Sequence, residues 1–360
     1  MDQILPPSKE EKRDGWVILS REKKMFETNE TSPFEQWMSS EPWKRFKSIG
    51  LTGLKGSSKA YLLSLWGKKE AGPLVIVAPS LQRAESLMED LQFFGPNSKS
   101  KPLLFSPWET LPYDEIPPHP EIIRERVMCI FSIMSEGEGI VISPIRALMQ
   151  KVFTPADFRR SVFSLRVGEE GGREGLIRFL QESGYASARV VEERGDFSLR
   201  GAIVDLYAPP YEAPLRVEFD GDRLSSIRCF EPEGQRSLPE SDMERAVLLP
   251  ARDVSKDLFE QPLGSFFDYL KGEAVLFIDE MEEVEKEVHS FSRSIEEHYQ
   301  KALAKKRPVL PPGLLYLTED ELALNLKRFR TASLQEGPLA PLSCEQVFAF
   351  ETEANEDLRM

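Results

Sequence analysis

The residues with the clearest chemical potential are Gly53-Leu54-Lys55-Gly56-Ser57-Ser58-Lys59-Ala60, set between a predicted strand and a predicted helix. A working phosphate loop reads G-x-x-x-x-G-K-[ST]. Its glycines let backbone N–H groups close around phosphates, its lysine reaches the β and γ oxygens, and its hydroxyl holds magnesium. Gly53 and Lys59 fit that pattern. Ser58 replaces the second glycine and brings a Cβ where close backbone approach is needed. Ala60 replaces the hydroxyl and cannot coordinate a metal. A second fragment, Asp279-Glu280, ends the apolar run Val275-Leu276-Phe277-Ile278, the position at which P-loop ATPases hold magnesium and water. Acidic residues past a strand are usually just solvated, so this pair gains weight only beside the degenerate loop. Together the two fragments predict a core of P-loop descent that has lost the electrostatic positioning phosphoryl transfer needs. No catalytic residue and no metal are expected in this stretch.

The remaining chemistry-bearing residues are sparse. Cys129, Cys229 and Cys344 lie far apart and read as structural thiols. His119 stands alone in a Pro-rich stretch, and His289 and His298 fall on opposite faces of one helix, so a zinc site is not expected. A net charge of −14 makes the chain a poor generic DNA binder and a protein partner the better default. No apolar run approaches the roughly 20 residues that span a bilayer. The N-terminus lacks a charged region followed by an apolar stretch, so a cytoplasmic location is expected.

The elements that must position these groups alternate strand and helix from residue 49 to 143, which predicts a mostly parallel sheet. From Thr154 to Leu238 the chain holds 12 arginines and no lysine. The pattern there changes to one helix, 173–183, and short alternating runs at 190–193, 197–200, 202–207, 215–219 and 224–230, with Asp220-Gly221 as a hairpin turn. After 238 the α/β style returns, with strands at 246–249 and 274–278 and a charged helix at 282–305. The expected fold is therefore α/β: a degenerate P-loop, helicase-like parallel-sheet domain interrupted by a small antiparallel α+β insert. The expected divisions are a flexible leader 1–31, a first α/β part 32–153, the insert 154–238, a second α/β part 239–334 and a linker 335–360.

Several motifs in order resemble a known family. Ser106-Pro107-Trp108-Glu109-Thr110-Leu111-Pro112-Tyr113-Asp114 looks like its W-E-T-L-P-Y segment. Ser143-Pro144-Ile145-Arg146-Ala147-Leu148-Met149-Gln150 looks like its P-x-x-A-L-x-Q segment. Gly184-Tyr185, then Gly195-Asp196-Phe197-Ser198-Leu199-Arg200-Gly201-Ala202-Ile203-Val204-Asp205-Leu206-Tyr207, looks like its Y…G-E-F-x-x-R-G-x-I-x-D-[IL]-[FY] signature. The family is that of the UvrB-like N-terminal modules of bacterial transcription-repair coupling factors. The short stretch after Tyr113 leaves no room for UvrB's DNA-clamping hairpin. With the damaged loop, that resembles the coupling factors more than UvrB, whose active ATP-dependent helicase is the alternative reading.

The resemblance implies that the insert docks UvrA, with Arg200 at the signature arginine, Arg189 and Arg194 extending the patch, and Phe197, Gly201 and Ile203 around it. Strand alternation predicts Phe197 and Leu199 facing inward and Arg200 outward. The plainer reading pairs Arg200 with Glu192 or Glu218. Where some family members carry a further interface arginine, this chain has Ala186. Trp108 and Tyr113 read as core aromatics rather than base-stacking platforms. The resemblance further implies that RNA polymerase and DNA are engaged by downstream domains outside this chain. ATP and magnesium would serve the motor there, with no cofactor in this stretch.

Overall fold

The computed structural model describes residues 32–69, 72–94, 101–114, 117–254, 262–271, 273–338 and 344–353. The expected leader 1–31 lies outside them. Two compact units are present, Met1–Pro42 and Trp43–Met360. In the first, helix α1 (Pro33–Ser40) starts on a capping box. Ser32 Oγ accepts the Glu35 N–H at 3.2 Å, and Glu35 Oε2 accepts the Ser32 N–H at 2.8 Å, so two otherwise orphaned donors are satisfied reciprocally.

The second unit opens with alternating strands and helices: β1 (Ser48–Thr52), α2 (Ser58–Lys69), β2 (Pro73–Ala78), α3 (Leu81–Phe94), β3 (Leu103–Leu104), α4 (Pro120–Glu136) and β4 (Gly139–Pro144). Two short helices follow, α5 (Ile145–Met149) and α6 (Pro155–Arg160). After the insert come β13 (Val275–Asp279), α8 (Met281–Ala304), β14 (Arg330–Leu334) and β15 (Gln346–Ala349). These seven strands form one sheet in the order β15-β1-β14-β13-β2-β4-β3, with every pairing parallel. β2 and β13 are buried at every position, as central strands covered on both faces must be. The α/β reading with a smaller antiparallel insert therefore holds. β15 is a difference: residues 346–349, expected within a linker, pair with β1 and extend the sheet.

The insert runs from β5 (Phe163–Arg166) through α7 (Gly172–Glu182), β6 (Ala186–Ser187), β7 (Asp196–Arg200), β8 (Ile203–Leu206), β9 (Leu215–Asp220), β10 (Arg223–Phe230) and β11 (Ser237–Asp242) to β12 (Arg245–Leu248). Six strands lie in the order β11-β10-β9-β8-β7-β6, and β12 pairs antiparallel with β5 in a separate ribbon. Leu176 and Leu180 of α7 share one buried core with Phe197, Val204, Leu206 and Val217.

The structure moves both edges of the insert relative to 154–238. Phe158 of α6 belongs to the α/β core. Ala246 and Leu248, expected in the returning α/β part, pack in the core of the insert. The expected strand at 190–193 is absent. There the Glu192 and Glu193 N–H groups donate to Asp196 Oδ2 at 3.2 and 3.0 Å, so the backbone turns rather than pairs. The hairpin at Asp220-Gly221 forms as expected, with Gly221 at φ 62°.

A buried guanidinium ties the α/β layers to the segment leaving the insert. Arg126 is fully buried. It ion-pairs with Asp253 and donates through Nη1 to Ser106 O at 2.7 Å and Gln150 Oε1 at 3.0 Å. It lies over Phe105 and Trp108, its guanidinium carbon 4.3 and 5.2 Å from the ring centres. Trp108 Nε1 donates to the same Asp253 carboxylate at 3.1 Å. Trp108 and Tyr113 are buried core aromatics, as read from the sequence.

Candidate functional site

The β7–β8 hairpin carries the signature residues. Arg200 pairs with Ile203 across the turn. Gly201 sits at φ 61°, and a Cβ placed on it would meet nothing within 4 Å. Leu199, Arg200, Gly201 and Ala202 are all exposed. Leu199, expected inward, is 43% exposed, because β6 flanks β7 only as far as Phe197 and leaves its far end at the sheet edge. Phe197 is 2% exposed and belongs to that core, so it supports the face without presenting itself on it. Ile203 is half-buried.

Arg200 has no carboxylate partner among the described residues. Its Nη2 approaches the Arg189 carbonyl at 3.4 Å. Glu218, one of the two partners expected on the plainer reading, instead pairs with Arg228 at 2.5 Å. Arg189 is exposed, and its carbonyl also accepts from Ser198 Oγ at 3.2 Å, which holds the 189 segment against β7. Arg173, which no spacing pointed to, reaches the turn from α7 and donates to Gly201 O at 2.7 Å. Arg173 and Arg200 thus flank one open turn, and the exposed Arg189 lies beside β7 through its backbone carbonyl. An exposed guanidinium offers five donors in a fixed fork to a carboxylate or a carbonyl row.

Arg194 does something else. Its side chain is only 9% exposed. It pairs with Glu121 at the start of α4 and with Glu212 at 2.9 Å, donates to Tyr211 O, and lies over the Tyr207 ring at 4.6 Å. Arg124 joins it, bonding Pro209 O at 3.1 Å and Glu212 at 2.7 Å. The pair fastens the insert to α4, so Arg194 is a clamp between layers rather than a surface anchor.

The second candidate, the loop expected to be a degenerate phosphate loop, lies at the C-terminal ends of the parallel strands. Gly53 has φ 75° and α2 begins at Ser58. Lys59 and Ala60 are fully buried. Lys59 Nζ bonds Asp279 Oδ1 at 2.6 Å and Glu280 Oε1 at 2.5 Å. Arg83 Nε, missed in the sequence, reaches Asp279 Oδ2 at 2.6 Å. Burial pulls the Arg83 pKa down, but the bond to Asp279 and the surrounding carboxylates outweigh it and hold it above its ordinary value. The two motif fragments do meet in space, as expected. The lysine's charge is paired with both carboxylates of the acidic pair. Among the described residues no group of three His, Cys, Asp or Glu side chains has metal-holding geometry. No helix among them is long and apolar enough to cross a membrane.

Comparison with known proteins agrees with this geometry. Residues 163–253 match the family described as UvrB interaction domain. The chain is 26% identical over 345 residues to the transcription-repair-coupling factor of Escherichia coli (strain K12), covering 84% of this chain and 29% of that protein. It is 36% identical over 210 residues to the transcription-repair-coupling factor of Myxococcus xanthus, covering 56% and 17%. It is 27% identical over 221 residues to the UvrABC system protein B of Thermosipho africanus (strain TCF52B), covering 58% and 33%. The matched stretch thus spans a third or less of each of these relatives. The open hairpin and these matches lead to one statement: residues 163–253 are similar to the UvrB interaction domain family, and they are set in an α/β domain of a chain similar to part of the transcription-repair-coupling factors.

Proposed function

We propose that this chain docks UvrA through the Leu199–Ala202 turn, with Arg200 as its anchor and Arg173 and Arg189 extending the patch, and so recruits UvrA in transcription-coupled nucleotide excision repair. The observation that carries the reading is Arg200: a guanidinium held out on an open hairpin, with no carboxylate of its own among the described residues, within a UvrB interaction domain. Arginines of this kind recur as anchors at protein interfaces, where their forked donors meet partner carboxylates. The turn's backbone is open beside it, since Gly201 has no neighbour to exclude a partner's approach.

On this reading the chain hydrolyses no ATP and works in the cytoplasm. Lys59 is held by Asp279 and Glu280, and Ala60 offers no hydroxyl for magnesium. RNA polymerase and DNA would be engaged outside the matched stretch, where a nucleotide-driven motor would take ATP and magnesium.

The test mixes the chain separately with UvrA and with duplex DNA and resolves the mixtures by gel filtration, with an ATPase assay alongside. Co-elution with UvrA, none with DNA and no turnover are expected. Co-elution with DNA together with turnover abolished by Lys59→Ala would replace this reading with an active UvrB-like helicase subunit.

A further inference from the structure

In parallel α/β sheets, ligands ordinarily bind at the C-terminal ends of the strands. Here the chain's own C-terminal segment lies at that place. β15 runs parallel to β1, with Ile49 opposite Gln346 and Thr52 opposite Ala349. The Glu345 N–H donates to Ser48 O at 3.0 Å and the Phe350 N–H to Thr52 O at 2.9 Å. Just past the strand, the Lys55 N–H of the loop donates to Thr352 Oγ1 at 2.8 Å. That hydroxyl donates in turn to Gly53 O at 2.7 Å and lies 3.4 Å from Ser58 Oγ. A Cβ on Gly53 would stand 1.9 Å from the Phe350 carbonyl oxygen. The first glycine of the loop therefore admits a backbone, in the way a working loop admits a phosphate. Glu280 Oε1, besides holding Lys59, accepts the Glu336 N–H at 2.9 Å, so the chain leaving β14 is tied to the same acidic pair.

We propose that residues 344–353 are a strap that takes the phosphate's place, with the degenerate loop serving as the receptor for Phe350 and Thr352. A backbone N–H that can cradle an anion also bonds a neutral hydroxyl oxygen, more weakly than a charged one. A neutral ligand suits a loop whose lysine is already neutralised. Strand addition to the edge of β1 also covers a row of N–H and C=O groups that would otherwise invite pairing with other chains. The strap explains Gly53 and the conformation of the loop without any nucleotide. It also couples the two: pulling the strap away frees the Lys55 N–H and the space beside Gly53.

The test is hydrogen–deuterium exchange, read by mass spectrometry, on the whole chain and on E345P/F350P. Each proline deletes one N–H that bonds the strap to β1, and E345P also removes the carboxylate that accepts the Lys47 N–H, while Lys59 and the acidic pair keep their side chains. In the wild type, residues 53–58 and 346–353 should exchange at least roughly tenfold more slowly than an open chain. In the variant residues 346–353 and the Lys55 N–H should lose protection together, with β2 and β13 unchanged. A wild-type strap that exchanges as open chain would overturn the proposal, as would a Lys55 N–H that keeps its protection once the strap is released. Should the double variant lose protection throughout, Thr352→Val decides. It keeps the strand and removes only the hydroxyl, so Lys55 should exchange faster while 346–349 stays protected. Unchanged exchange at Lys55 would overturn the receptor role.

Discussion

Replacing Lys59 by methionine separates a phosphate-binding lysine from a structural one. In a working P-loop the lysine serves the ligand, and its loss costs activity. Here its ammonium is fully buried and bonded to Asp279, also fully buried, and to Glu280, which is 29% exposed. Removing one partner of a buried ion pair costs roughly 3–5 kcal/mol, because the other charge is left without compensation. Two features reduce that figure. Arg83 remains 2.6 Å from Asp279, and the partly exposed Glu280 can turn toward water. The expected loss is therefore about 2–3 kcal/mol, read as a lower urea midpoint at unchanged slope. Asp279→Asn should also destabilise. The double variant should be about 1–2 kcal/mol more stable than the two single losses added together, because both remove the same interaction. A Lys59→Met protein within about 0.5 kcal/mol of wild type would refute the reasoning.

Other outcomes follow from the packing. Arg194→Ala should cost about 1.5–3 kcal/mol, the scale of lost hydrogen bonds from a charged group, while leaving UvrA binding intact at temperatures where the variant is folded. Equal losses of binding and stability at Arg194 and Arg200 would argue against separate roles. Gly201→Ala should cost about 1 kcal/mol in thermal or urea unfolding, through its positive φ alone, since the space beside it is open. Burial raises the phenol pKa of Tyr113, Tyr185, Tyr207, Tyr211, Tyr269 and Tyr316. A raised folded pKa gives stability that is intact below the unfolded value of roughly 10 and lost as pH climbs toward the folded value. Phenolate absorbance should therefore rise above its ordinary range and together with unfolding. A large phenolate signal from still-folded protein near pH 10 would contradict this.

Much of the α/β core was legible because its central strands are uninterrupted apolar runs. Leu74 to Ala78 is closed by Pro79, and Val275 to Ile278 by the acidic pair. The meeting of Lys59 with Asp279 was legible because two weak fragments fit one topology. What spacing does not reveal is pairing. β12 reads like any buried strand, and only its distant partner β5 assigns it to the insert. β15 is short and follows a stretch broken by Gly337, Pro338 and Pro341, so it looks like a linker until β1 supplies its hydrogen bonds. Arg126 did leave a signal: it shares the i, i+3, i+4 apolar stripe of Ile123, Val127 and Ile130, where a charged residue must find a buried partner. Arg173 left none, since only the tertiary fold brings α7 to the turn. Arg194 looked like a surface arginine beside a glycine, and only the position of α4 makes it a clamp.

The most direct test of the docking face is a titration of UvrA against wild type, Arg200→Ala and Arg200→Glu, with thermal melts of all three. Arg200→Ala should weaken binding by roughly 2 kcal/mol, the scale of an interface hot spot. Arg200→Glu should weaken it further by setting a like charge against the partner's carboxylate. Binding should also fall with salt, because exposed charges are screened over about 8 Å at physiological ionic strength. The melts should coincide, since Arg200 is exposed and its guanidinium makes only a 3.4 Å approach to a carbonyl among the described residues. Unchanged affinity in Arg200→Glu would remove the hairpin from the docking face, and lost affinity with a collapsed melt would make Arg200 a structural residue of the insert.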